Sequence, residues 1–165
     1  MRTVFRTAIL IGCLSAPALA SAHEFKSGAI SVDHPESRPT PKTARIGVGY
    51  LAITNAGTEA DRLLGGSSEA SDRFELHTSE IVDGVARMRP VEGGIAIEPG
   101  ATVALRSGGT HVMLVGLRKP LAAGESFKGE LVFERAGTVP VEFKVEPHGA
   151  AAPVSHARHV MGGAQ

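Results

Sequence analysis

The chain contains four methionines, seven histidines and one cysteine, and the placing of the first two types is where chemistry is most legible. Met1 is the initiator, which leaves Met88, Met113 and Met161, each near a histidine in sequence or in the strand arrangement expected below. In Thr110-His111-Val112-Met113-Leu114, residues two apart on an extended strand share a face. His111 and Met113 then point one way, Val112 and Leu114 the other. His77 closes the run Phe74-Glu75-Leu76-His77, whose Phe74 and Leu76 take the core side and leave His77 displayed. Met88 stands between Arg87 and Arg89, whose charges need solvent, and a turn at Asp83-Gly84 would fold that segment back beside His77. Two imidazoles and two thioethers could then converge at one end of a sandwich.

A thioether is a soft, neutral donor that suits Cu(I), whereas Zn(II) prefers thiolate, imidazole or carboxylate and hard cations prefer oxygen. A His/Met set without cysteine therefore selects copper, chiefly the reduced ion. Cys13 lies in a segment expected to be removed, so the mature chain offers neither a disulfide nor a thiolate ligand. That excludes a blue-copper electron-transfer site, which needs the thiolate, and with it stable redox cycling. Residue type alone leaves a second reading open, in which each methionine fills a core gap and each histidine is a surface or hydrogen-bonded residue.

The segment to be removed is read at 1–22. Arg2 and Arg6 form a positive n-region, Thr7 to Ala18 is largely apolar, and Ala20-Ser21-Ala22 has the small-x-small form of a signal-peptidase site. Cleavage there makes His23 the first residue, and Ala18-Leu19-Ala20 offers a competing cut before Ser21. Leu10-Ile11-Gly12-Cys13 resembles a lipobox, but Thr7 to Gly12 is shorter than the usual h-region of ~7–15 residues. The apolar run, interrupted by Pro17, also falls short of the ~20 residues of a membrane span. An exported, periplasmic protein with no membrane span is expected. Loss of Arg2 and Arg6 leaves 15 of the 17 basic residues against 17 acidic ones, a net charge of −2, which gives no sign of nucleic-acid or membrane-surface binding.

The elements that must position the ligands are strands. With 20 glycines, 10 prolines and short apolar stretches bounded by turn residues, no segment sustains a helical repeat. Val139, Val141, Phe143 and Val145 alternate with polar or turn residues, and Phe127, Leu131 and Phe133 share one parity just before Gly137. Together these runs predict a closing antiparallel hairpin. Further strands are expected at 26–33, 46–54, 73–79, 85–91, 94–98, 101–106 and 110–117, with Gly-Gly turns at 65–66, 93–94 and 108–109. About nine strands favour an all-β, antiparallel Greek-key sandwich over residues 23–146. From Pro147 the pattern stops, and 147–165 reads as a flexible tail.

Glu75-Leu76-His77-Thr78, Asp83-Gly84-Val85-Ala86-Arg87-Met88-Arg89, Val91-Glu92-Gly93-Gly94-Ile95 and Gly108-Gly109-Thr110-His111-Val112-Met113-Leu114-Val115-Gly116-Leu117 closely resemble the periplasmic copper chaperone PCu(A)C family. That family carries a His, a Met after ten intervening residues and a His-x-Met about twenty-one or twenty-two residues beyond; here 10 residues separate His77 from Met88 and 22 separate Met88 from His111. The resemblance extends from Gly49-Tyr50-Leu51 through Asp61-Arg62-Leu63-Leu64 to about Val145. It implies a cupredoxin-like sandwich, Cu(I) held by His77, Met88, His111 and Met113, and delivery toward cytochrome c oxidase assembly, at the CuA or CuB site or through another chaperone. One departure is Glu36, which stands where the family often has tryptophan.

Two further histidine groups stand outside this set. As an amino-terminal residue His23 could chelate Cu(II) with its α-amine, and with His34 it would form a histidine brace; a frayed polar terminus is the alternative. His148, His156, His159 and Met161 crowd the tail, which resembles the His/Met-rich extensions of some relatives and would collect Cu(II) for the core site. A binding and delivery protein, not an enzyme, is the function expected. A copper-sequestering protein without a client and a histidine-brace oxidase are the competitors.

Overall fold

The structure is a computed structural model and describes residues 24–147. Eleven strands make up the described chain: β1 (Glu24–Ser27), β2 (Ile30–Ser37), β3 (Ile46–Asn55), β4 (Asp61–Ser68), β5 (Ser71–Val82), β6 (Val85–Pro90), β7 (Ile95–Ile97), β8 (Thr102–Leu105), β9 (Thr110–Leu117), β10 (Ser126–Phe133) and β11 (Gly137–Val145). They pair along one path, β6-β5-β9-β3-β2-β11-β10-β4-β7, with β1 on β2 and β8 on β3. The inner faces of β5, β9 and β3 meet those of β11, β10 and β4 in one core, built on Leu51, Ile53, Leu63, Val112, Leu114, Leu131, Val139 and Phe143.

The all-β sandwich expected from the pattern is present. In β10–β11, Phe127 faces Phe143 and Leu131 faces Val139, and alternate residues of both strands are buried. The two phenylalanine rings stack with centroids 5.3 Å apart. In β3 the same period-2 rule buries Gly47, Gly49, Leu51, Ile53 and Asn55, leaving Val48 and Tyr50 on the other face.

Three expectations are corrected. The segment 26–33 is not one strand, because Gly28 adopts φ +58° and turns the chain between β1 and β2. Gly65 and Gly66 are not a turn but lie inside β4, which pairs with β10 through an irregularity at Val132 and Phe133. Glycine serves there by its small size: a Cβ on Gly66 would collide with the Glu130 carbonyl and lie 3.1 Å from the Phe74 ring. Nor is the pairing wholly antiparallel, since β11 meets β2 in parallel at Lys144–Glu36 and Val145–Ser37.

Glu36, the departure noted above, forms an ion pair of 2.6 Å with Arg38, whose guanidinium carbon sits 5.5 Å from the Tyr50 ring centroid. Burial pushes the Glu36 carboxyl above its ordinary value even though the Arg38 charge pulls the other way. A half-buried ion pair thus occupies this part of the sheet.

Candidate metal centre

The ladder of β5 with β9 sets His77 opposite His111 and Glu75 opposite Met113. The ladder of β5 with β6 sets Ser79 opposite Met88 and His77 opposite Pro90. Opposed residues share a face, as do residues two apart on one strand. Glu75, His77, Met88, His111 and Met113 therefore lie on one face of the β6-β5-β9 sheet. The other face carries Leu76, Val112 and Leu114, buried in the core.

Met88 reaches this face because Asp83 and Gly84 take left-handed φ values of +53° and +76° and close a two-residue turn between Val82 and Val85. Asp-Gly is a preferred pair for such a turn, since both central residues need positive φ. Met88 then lies diagonally from His77, within reach of a long side chain. His77 and His111 form the penultimate pair of the β5–β9 ladder, so they sit at one end of that ladder.

Exposure differs sharply across the group. Met88 is 53% exposed, whereas His111 is 4% exposed although it points away from the core. The His77 side chain is 11% exposed, a correction to the expectation that it is displayed. His111 Nδ1 lies 3.0 Å from the Gly109 carbonyl oxygen, and His77 Nε2 lies 3.0 Å from Glu75 Oε2. His77 Nδ1 is buried and has no hydrogen-bond partner. A buried polar atom left so is costly unless something absent from the protein itself satisfies it.

The imidazole centroids are 6.4 Å apart and the rings are inclined at 41°. Imidazole nitrogen binds metal at about 2.0–2.1 Å, which sets an ion roughly 3 Å from a centroid, so one ion fits between the rings. Among the described residues, no group of three or more His, Cys, Asp and Glu side chains is disposed to hold a metal ion. Met88 and Met113 add two thioethers, soft neutral donors, to the face that carries the two imidazoles.

Reasoning from sequence missed Glu75 and the Gly109 carbonyl as partners of the two histidines. Glu75 was within reach of the period-2 rule, being two residues before His77; the Gly109 contact needs the fold of the turn before β9. His34 is exposed in β2 with φ +49°. The 1–22 segment, His23 and the tail residues His148, His156, His159 and Met161 lie outside the described residues.

The fold is that of a PCuAC domain. It is similar to the copper-bound PCuAC domain from PmoF2, with a TM-score of 0.64 and 29% identity over 76% of this chain and 98% of that one. It is also similar to the Cu(I) form of DR1885 from Deinococcus radiodurans, with a TM-score of 0.58 and 26% identity over 77% of this chain and 83% of that one. Residues 30–145 match the family described as "Putative lipoprotein LpqE-like", and the chain belongs to that family. A relative in Leifsonia xyli subsp. xyli, "Putative lipoprotein Lxx21020", is 32% identical over 99 residues, spanning 60% of this chain and 60% of its own length.

Proposed function

We propose that this protein is an exported copper chaperone that carries one Cu(I) as cargo on His77, Met88, His111 and Met113. The observation that carries this reading is the gathering of two imidazoles and two thioethers on one sheet face, where one imidazole nitrogen is buried without a partner. The likeness to PCuAC domains solved with copper supports it. Uneven exposure suits a carrier more than a store. Buried His111 and shielded His77 retain the ion, while exposed Met88 is the ligand that an acceptor's own donor can replace.

X-ray absorption of the Cu(I) form of a protein ending at Pro147 tests the ligand set. One copper per molecule with both nitrogen and sulfur scattering is expected; scattering without sulfur rejects it. The destination proposed is cytochrome c oxidase assembly. A deletion strain grown at low copper should lose oxidase activity, whereas copper sensitivity with normal oxidase would favour sequestration. The tail is proposed to collect Cu(II) through His148, His156, His159 and Met161, so removing 148–165 should abolish Cu(II) binding and leave the Cu(I) site.

Export follows either of two routes. Cleavage after Ala22 releases a periplasmic protein beginning at His23. The description of the family and of the Leifsonia relative as lipoproteins favours the alternative, lipid attachment at Cys13 in Leu10-Ile11-Gly12-Cys13. Intact mass of the exported protein separates the two, since only the second retains Cys13 with added acyl chains.

A further inference from the structure

His77 and His111 face each other across the β5–β9 ladder, yet they are held by different ring nitrogens. Glu75 Oε2 lies 3.0 Å from His77 Nε2, and Glu75 Oε1 lies 3.1 Å from Arg73 Nε. An ionised carboxylate can only accept, so in a neutral ring the proton sits on Nε2. The bare lone pair is then on Nδ1, the buried atom without a partner. His111 is arranged the other way round. Its Nδ1 meets the Gly109 carbonyl oxygen at 3.0 Å, which likewise only accepts, so Nδ1 carries the proton and Nε2 is bare.

We infer that Glu75, steadied by Arg73, and the Gly109 carbonyl hold the two imidazoles in opposite tautomers before copper arrives, so that Cu(I) meets Nδ1 of His77 and Nε2 of His111. The copper half of this statement rests on the function proposed above; the tautomers rest on the hydrogen bonds alone. Glu75 is a positioning residue. It acts on the ion through His77 by fixing which nitrogen is free and where the ring points. Arg73, Glu75 and His77 all lie on the ligand face by the period of the strand. The Arg73 side chain is 66% exposed, so it steadies Glu75 only weakly.

Long-range nitrogen–proton correlation spectra of the metal-free protein at about pH 8, above the ~6.5 of an unperturbed histidine, read the tautomers directly. His77 should show protonated Nε2 and His111 protonated Nδ1. A reversed tautomer on His77, or the mixture seen in free imidazole, overturns the inference. In Glu75→Ala the His77 signals should move to that mixture while His111 stays unchanged, and Cu(I) affinity should fall about 10–100-fold. Glu75→Gln, whose amide oxygen can still accept, should lose less, and Arg73→Ala least. An amide spectrum unchanged away from the site shows that each variant is folded. An unaltered His77 tautomer in folded Glu75→Ala removes Glu75 from the role. Added Cu(I), being diamagnetic, should shift His77 Nδ1 and His111 Nε2. Correct tautomers with neither nitrogen shifted would refute the copper site and leave the tautomer assignment standing.

Discussion

Two hairpins of this molecule start from the same strand chemistry and end in different uses. In β10–β11 each strand has a second neighbour, β4 on one side and β2 on the other, and alternate side chains enter the core. In β5–β6 the outer strand pairs only with β5, and β5 itself has no partner in β9 beyond Thr78. Arg87 and Arg89 lie opposite Glu80 and Thr78, so they occupy the parity of Leu76 and Phe74, but past the end of the core. Ile81 at 79% exposure, Val85 at 58% and Met88 at 53% are exposed in this hairpin, whereas Phe143 is fully buried. Alternation fixes which residues go together; a second sheet decides whether they are buried. The chain buries one hairpin in its core and leaves Met88 exposed on the other.

The strongest way to break this contrast is Phe143→Ala, which empties a ring stacked on Phe127 and should cost about 3–5 kcal/mol in urea unfolding. A loss below about 1 kcal/mol would mean that β10–β11 is not the structural hairpin. Asp61→Ala should come next. Its carboxylate accepts the amides of Arg62, Arg135 and Ala136 at 2.7, 2.9 and 3.0 Å, tying β4 to the turn between β10 and β11. Losing those acceptors should cost roughly 1–3 kcal/mol.

Asp61 also carries a pH signature. Burial pushes its carboxyl up, but the three amide hydrogen bonds and the Arg135 charge outweigh that and hold it below its ordinary 3.8. A depressed carboxyl stabilises the fold fully above the unfolded-state value and ceases to as pH falls through the lower folded-state one. The stability gap between wild type and Asp61→Ala should therefore be constant at neutral pH and narrow below about pH 3.8. A gap independent of pH down to complete protonation would show that the carboxylate charge contributes nothing.

On the β5–β6 side effects on stability should be small. Met88→Ala should shift unfolding by no more than about 0.5 kcal/mol, as surface changes do, while competition with a Cu(I) chelator reports weakened binding. Unfolding of that variant with unchanged copper affinity in the folded fraction would make Met88 a structural residue. Smallest of all is Arg89→Ala, which breaks an exposed pair with Glu80 at 3.0 Å. It should lie within about 0.5 kcal/mol and sharpen the contrast by showing that charge there does not hold the arm.

Much of this was legible in the sequence because strands repeat every two residues. The pairing of Phe127 with Phe143 runs and the shared face of His111 and Met113 follow from that period, and the Asp83-Gly84 turn from the positive φ that its two residues accommodate. Gly65 and Gly66 misled because glycine marks both turns and close approaches, and only the Phe74 ring and the Glu130 carbonyl tell which applies. At Gly28 the apolar parity changes, from Phe25 to Ile30 and Val32, and that change marks the split between β1 and β2. The burial of His111 was not legible either: a pattern says which way a side chain points, not what stands around it.

By itself the sequence determined the donor types, their spacing and the strand on which each would lie, because these are local properties of composition and period. It also determined the chemistry available, a soft set of imidazoles and thioethers without thiolate. Tertiary structure alone decided that His77 and His111 oppose each other, that Glu75 and the Gly109 carbonyl grip different nitrogens, and that His77 Nδ1 is left buried without a partner. The opposition of the two histidines depends on the register of β5 with β9, which is set by contacts between distant segments that no local pattern encodes, and the burial of His77 depends on what packs around it.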